Sequence, residues 1–256
     1  FLFTGIALLI GSVPAWPFVR QWNVSKGALA LGIYGLFGFH FLLFIALRHA
    51  PPVEANLVNY LWPLGIVVMA PIFLPGTKLS ATHIIAACAG FAGACIAILG
   101  DSLFKNGLQG LASAGFAWGY IPAAASAFIW ASYSLMSKRL SQTGRGFPTA
   151  AIGLFGLVSG LLSLLCHALM EPAVALSRQD WALMAVMGLG PLGAAFFLWE
   201  KKKKKGDARQ IGILSYITPL ASTALLIVVT GRPLTWSIGV ATALIIGAAV
   251  LGTRGK

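Results

Sequence analysis

Eight stretches of this chain run for close to twenty residues with scarcely a charge, about the length a helix needs to cross the hydrocarbon core of a bilayer. They cover residues 27–47, 52–74, 81–99, 118–136, 147–169, 181–199, 209–230 and 236–251. A ninth, residues 1–13, is shorter and ends at Pro14. Only 9% of residues are charged and the mean hydropathy is +0.87, whereas about a quarter of a soluble domain is charged. The fold class that follows is an all-α polytopic membrane protein.

A net charge of +12 raises the possibility of a nucleic-acid partner. The basic residues, however, stand between the apolar runs, with no basic helix face and no interleaved aromatic motif, so the partner is the lipid bilayer. With a cytoplasmic C-terminus, the inner loops hold Arg20, Lys26, Lys78, Lys138, Arg139, Arg145, Lys201 to Lys205, Arg209, Arg254 and Lys256. The outer loops hold Arg48, Lys105, Arg178 and Arg232. That excess of inner positive charge selects this orientation. Lys201 to Lys205 read as a helix end whose long stems snorkel to the surface, with no transport role. Cys88, Cys95 and Cys166 lie inside apolar runs without metal-ligand spacing and read as small buried hydrophobes. No metal and no cofactor is expected.

An internal repeat is also legible. Asn59-Tyr60-Leu61-Trp62-Pro63-Leu64 returns as Ser215-Tyr216-Ile217-Thr218-Pro219-Leu220, and Pro75 to Ser80 is echoed by Gly231 to Thr235. The offset is about 156 residues, and an odd number of spans per copy makes the copies antiparallel in the membrane. The boundaries expected are 1–101 for the first repeat, 102–117 for an external connector and 118–256 for the second repeat. The second copy holds five spans and the first three and a fragment, so a native plan of ten helices is expected, with the first helix lying before Phe1.

These features resemble the drug/metabolite transporter superfamily, in particular its EamA-type exporters. The stretch Asn56-Leu57-Val58-Asn59-Tyr60-Leu61-Trp62-Pro63 is most similar to the YddG-type aromatic amino-acid exporters, as are Phe128 to Tyr133 and Gly212 to Pro219. The resemblance implies ten helices in two five-helix inverted repeats, both termini in the cytoplasm of a bacterial inner membrane, and aromatic or neutral amino acids as substrates.

Polar and irregular features at bilayer depth are costly and usually face a cavity. Counting at 1.5 Å per residue brings His40, Tyr60, Trp62, Trp130, Tyr133 and Tyr216 close to the midplane. Trp118, Trp181, Trp199 and Trp236 instead fit the interfacial aromatic belts. The deep aromatic rings suit an aromatic or cationic solute through stacking and cation–π contact; helix packing is the plainer reading. Asn56, Asn59, Ser132, Ser215 and Ser222 are candidates for the amino or carboxylate group of a substrate, or for interhelical hydrogen bonds. Pro63 and Pro219 each remove a helical donor and are expected to act as hinges. Gly153, Gly156 and Gly160 read as a packing face.

Glu54, Asp101, Glu171, Asp180, Glu200 and Asp207 all fall at span ends or in loops. Proton coupling through a membrane-buried carboxylate is therefore disfavoured. An enzyme would need a nucleophile–base pair or metal ligands at a workable depth, and no such arrangement is present in the sequence. The expectation is a non-enzymatic transporter, consistent with a monomer, exporting aromatic or neutral amino acids through a central aromatic-lined cavity by alternating access or facilitated diffusion. The alternative is an exporter of lipophilic cationic drugs or other small metabolites.

Overall fold

The structure, a computed structural model, describes residues 1–106, 117–230 and 236–254, and every regular element among them is helical. In chain order these are α1 (Leu2–Ser12) with a 3-10 extension (Val13–Trp22), then α2 (Lys26–Ile33), a π-helical turn (Tyr34–Gly38) and α3 (Phe39–His49). Next come α4 (Pro52–Asn59), α5 (Trp62–Phe73), α6 (Ala81–Asn106), α7 (Tyr120–Gln142) and α8 (Ala151–Met170). The chain continues through α9 (Arg178–Leu189), a second π-helical turn (Gly190–Ala194) and α10 (Ala195–Lys205). It ends with α11 (Ala208–Leu214), α12 (Ile217–Thr230) and α13 (Trp236–Arg254). Six stretches among the described residues combine the length and hydropathy to span a membrane: Leu2–Trp22, Lys26–His49, Pro52–Phe73, Ala81–Leu99, Ala151–Met170 and Arg178–Lys204.

The first of these is longer than residues 1–13. Pro14 does not stop the helix, because it falls in the first turn of the 3-10 segment, where a missing N–H costs no intrahelical bond. Local caps set other boundaries. The Ser25 hydroxyl accepts from the Ala28 N–H at 3.2 Å, Ser177 and Asp180 form a reciprocal capping box, and the Asp207 carboxylate accepts from the Arg209 N–H at 2.7 Å. Gly76 and Gly144 take positive φ (81° and 72°), the left-handed conformation that favours glycine, in the turns after α5 and α7. The expected connector, 102–117, lies largely outside the described residues.

The chain divides into two compact units, Phe1–Phe44 with Met136–Lys205, and Ile45–Leu135 with Gly206–Lys256. Each draws helices from both sequence repeats. In the first unit α1 packs on α8 through small residues. A Cβ on Gly160 would stand 2.9 Å from the Gly5 carbonyl, and one on Gly153 would stand 2.3 Å from the Ala15 Cβ. The Gly153, Gly156 and Gly160 face is thus a bed for a neighbouring backbone.

The same unit corrects one expectation and adds a fact to another. Glu200 stands near the end of its span and is completely buried there, accepting from the Ser137 hydroxyl at 3.0 Å. Lys203 does not snorkel. It is buried at 2% exposure, with its ammonium 2.7 Å from Glu200, because the helical i, i+3 spacing puts both on one inward face. Lys138 donates to the Lys203 carbonyl at 3.1 Å. Lys201 and Lys202 are exposed as expected.

In the second unit, α5, α6, α11 and α13 meet around Val67, Ala86, Ala87, Ile213 and Ala248. Of the three cysteines, Cys88 is exposed and Cys95 and Cys166 are intermediate. The first is a departure from the buried reading, since in an apolar helix an outward face carries hydrophobic residues as readily as an inward one.

Candidate functional site

Two interrupted helices shape the second unit. The run beginning at Pro52 is helical to Asn59, breaks at Tyr60 and Leu61, and resumes at Trp62. The run beginning at Ala208 breaks at Ser215 and Tyr216 and resumes at Ile217. The breaks precede the prolines. Pro63 and Pro219 occupy the first turns of α5 and α12, where their ring geometry suits a helix start. What was expected as a kink at each proline is a break just ahead of it, at matching places in the two repeats.

Trp62 therefore opens α5, and α7 supplies Trp130 and Tyr133 one turn apart. The Trp62 and Trp130 rings meet edge to face at 6.3 Å and 83°, and Trp130 lies 5.5 Å from Tyr133 at 39°. Such geometry is favourable for aromatic pairs. Trp130 and Tyr133 are buried, at 7% and 1% exposure, while Trp62 and Tyr60 are half-buried. Three expected site residues, Trp62, Trp130 and Tyr133, thus form one continuous cluster.

Tyr216 is completely buried. Its ring packs against α6, where a Cβ on Gly90 would stand 2.5 Å from it, and meets the Phe91 ring at 6.4 Å and 61°. Asn56 and Ser222 are exposed. Asn59 donates to the Ser126 hydroxyl at 2.6 Å, linking α4 to α7, and Ser132 and Ser215 bond back to carbonyls of their own helices at 2.7 and 2.6 Å. Those three polar groups serve the helices themselves. Gly90, Phe91 and Ser126 were not singled out in the sequence; nothing in the spacing distinguishes them from other small or apolar residues of a span.

His40 belongs to the first unit. It is 6% exposed, its Nδ1 lies 2.6 Å from the Leu36 carbonyl of the π-helical turn, and its ring meets Phe39 and Phe196 edge-on at 5.0 and 6.0 Å. Among the described residues no group of three metal-ligating side chains comes together.

The chain is similar to known proteins along most of its length. The chain is 41% identical over 228 residues to an aromatic amino acid exporter, YddG, of Ancylobacter novellus, covering 87% of this chain and 74% of that protein. It is 25% identical over 250 residues to the aromatic amino acid exporter YddG of Escherichia coli K12, covering 95% and 82%. A solved crystal structure at 37% identity superposes with a TM-score of 0.85 over 99% of this chain and 88% of the other. Residues 1–99 and 117–254 match the EamA-like transporter family, and the chain belongs to that family.

Proposed function

We propose that this protein exports aromatic amino acids across a bacterial inner membrane, with its C-terminus in the cytoplasm. The observation that carries the reading is the Trp62–Trp130–Tyr133 cluster beside a broken helix, in a family of transporters whose similar members include aromatic amino acid exporters. Stacked and edge-on rings at bilayer depth offer an aromatic side chain the contacts it loses on leaving water. Breaks at Tyr60–Leu61 and Ser215–Tyr216 supply joints where half-helices bend without sacrificing regular backbone bonds. Tyr60, Asn56 and Ser222, which keep exposed surface, are the further residues of this unit that we assign to the substrate path, and His40, in the other unit, is assigned a substrate contact by itself. Pro63 and Pro219 fix where each half-helix begins.

Counterflow of labelled phenylalanine in proteoliposomes holding the full-length protein tests this directly. Trp62→Ala and Trp130→Ala are expected to lower the rate about tenfold, the loss of roughly one well-placed aromatic contact, at unchanged protein content. Wild-type rates in both variants would overturn the assignment. Counterflow independent of a pH gradient is expected, which marks a facilitative carrier.

A further inference from the structure

Two neighbouring cavities open in the first unit, one largely apolar and one polar. The first, about 280 Å³, is lined by Pro14, Ala15, Phe18, Gln21, Ala150 and Phe197. The second, about 300 Å³, is lined in part by Asn23, Ser25, Arg145 and Pro148. On both walls they adjoin along the chain, Gln21 beside Asn23 and Ala150 beside Pro148, one residue between them. The apolar cavity draws on the spans Leu2–Trp22 and Arg178–Lys204, whereas Asn23, Ser25 and Arg145 lie beyond span ends. Trp22, between the cavities in the chain, packs on α8, where a Cβ on Gly153 would stand 3.1 Å from its Cζ2.

The polar cavity is lined by donors and by no carboxylate. The Arg145 backbone N–H is fixed on the Leu140 carbonyl at 2.9 Å, while its exposed guanidinium has no partner among the described residues. Ser25 accepts from the Ala28 N–H and keeps its own O–H to donate, and the exposed Asn23 amide supplies two N–H donors. Lys204 adds a cation at the wall, donating to the Phe147 carbonyl at 2.6 Å. Residues 1–44 contain no aspartate or glutamate. Glu200, the nearest acid of this unit in the chain, is already 2.7 Å from the Lys203 ammonium, and Glu171 stands about 30 Å off at the far end of α8. The positive charge at this end therefore exceeds the negative.

A guanidinium meets phosphate oxygens in pairs, and hydroxyl and amide donors complete such a site. An apolar cavity at hydrocarbon depth directly beside it suits an acyl chain, and basic pockets between spans recognise anionic head groups. We propose that the paired cavities hold one anionic phospholipid, with its phosphate on Arg145, Ser25 and Asn23 and an acyl chain on Phe18 and Phe197. Charge complementarity selects the anionic class, since a zwitterionic head group brings its own cation towards Arg145 and gains less. The site shares no residue with the Trp62–Trp130–Tyr133 cluster.

The test titrates the full-length protein in detergent with dioctanoyl phosphatidylglycerol or dioctanoyl phosphatidylcholine and follows bound lipid by native mass spectrometry. Wild type is expected to bind phosphatidylglycerol about tenfold more tightly, the scale of one hydrogen bond to a charged group. Arg145→Gln is expected to bring phosphatidylglycerol to the level of phosphatidylcholine. Phe18→Asn, altering a residue of the apolar cavity only, is expected to weaken both lipids by the same factor. Both side chains are exposed, so neither variant removes a buried contact. Equal affinities for the two lipids in wild type, or unchanged phosphatidylglycerol binding in Arg145→Gln, would overturn the proposal. Displacement of phosphatidylglycerol by an equal concentration of inorganic phosphate would reveal an anion site without a lipid, and displacement by phenylalanine a substrate site; either result would overturn it as well.

Discussion

Gly32 lies so close under Phe155 that a Cβ there would stand 2.2 Å from the ring, and Phe155 is itself completely buried. Overpacking of this kind costs on the order of 1–3 kcal/mol. Gly32→Ala is expected to lower the unfolding midpoint in detergent, whereas Gly27→Ala, with open space at its Cβ, is expected to leave it in place or raise it slightly. Glu200 gives a larger effect for a different reason. Its carboxylate compensates the buried Lys203 ammonium at 2.7 Å, and removing one partner of such a pair costs about 3–5 kcal/mol. Glu200→Gln is therefore expected to reduce the yield of folded protein sharply, and Glu200→Gln with Lys203→Met to recover much of it; thermal unfolding of the purified variants checks both. The Ser177 cap needs only its own neighbours along the chain, whereas Glu200's burial could not be read from the letters, because it depends on Ser137, far away along the chain.

Among the elements, the two π-helical turns repeat the internal symmetry. Tyr34–Gly38 and Gly190–Ala194 are separated by about 156 residues, the same offset that relates Tyr60 to Tyr216 in an inverted-repeat plan. In the second, Pro191 lacks the N–H that a regular α-helix would use. In the first, His40 meets the Leu36 carbonyl. Widened turns of this kind commonly mark functional bends. Pro191→Ala is expected to restore regular helix and lower the maximal counterflow rate while leaving KM unchanged, which separates bending from binding. At the start of α11, partial burial pushes the Asp207 carboxyl up, but hydrogen bonds from the Arg209 side chain and backbone outweigh it and hold the group below its ordinary value. Arg209 also donates to the Lys78 carbonyl, so the pair ties α11 to the turn before α6. A depressed carboxylate contributes stability above its ordinary value near pH 4 and loses it as pH falls through the folded value. Unfolding midpoints are expected to fall on acidification below about pH 4, with a smaller fall in Asp207→Asn. Spans such as Ala81–Leu99 and Ala151–Met170 were legible because length and apolarity are local properties, whereas 209–230, read as one span, is two helices. The break positions were displaced from the prolines because proline is accommodated in a first turn and marks where a helix begins.

Across the whole molecule, the repeat and the compact units divide the chain differently. α4–α5 and α11–α12 are counterparts from opposite repeats, yet both belong to the unit formed by Ile45–Leu135 and Gly206–Lys256. The proposed cytoplasmic C-terminus rests on the distribution of basic residues, and on that reading a C-terminal green fluorescent protein fusion is expected to fluoresce; a dark fusion with an active periplasmic phosphatase counterpart would reverse the orientation. The helical membrane class was decided in the sequence, since apolar length survives without any knowledge of neighbours; of the eight long stretches, 118–136, 209–230 and 236–251 are not among the six spans of the described residues. Tertiary structure alone decided which aromatic residues meet. Trp62, Trp130 and Tyr133 converge while Tyr216 turns into α6 against Gly90. Depth in a span follows from counting, but the direction a side chain faces follows from the helix packed beside it.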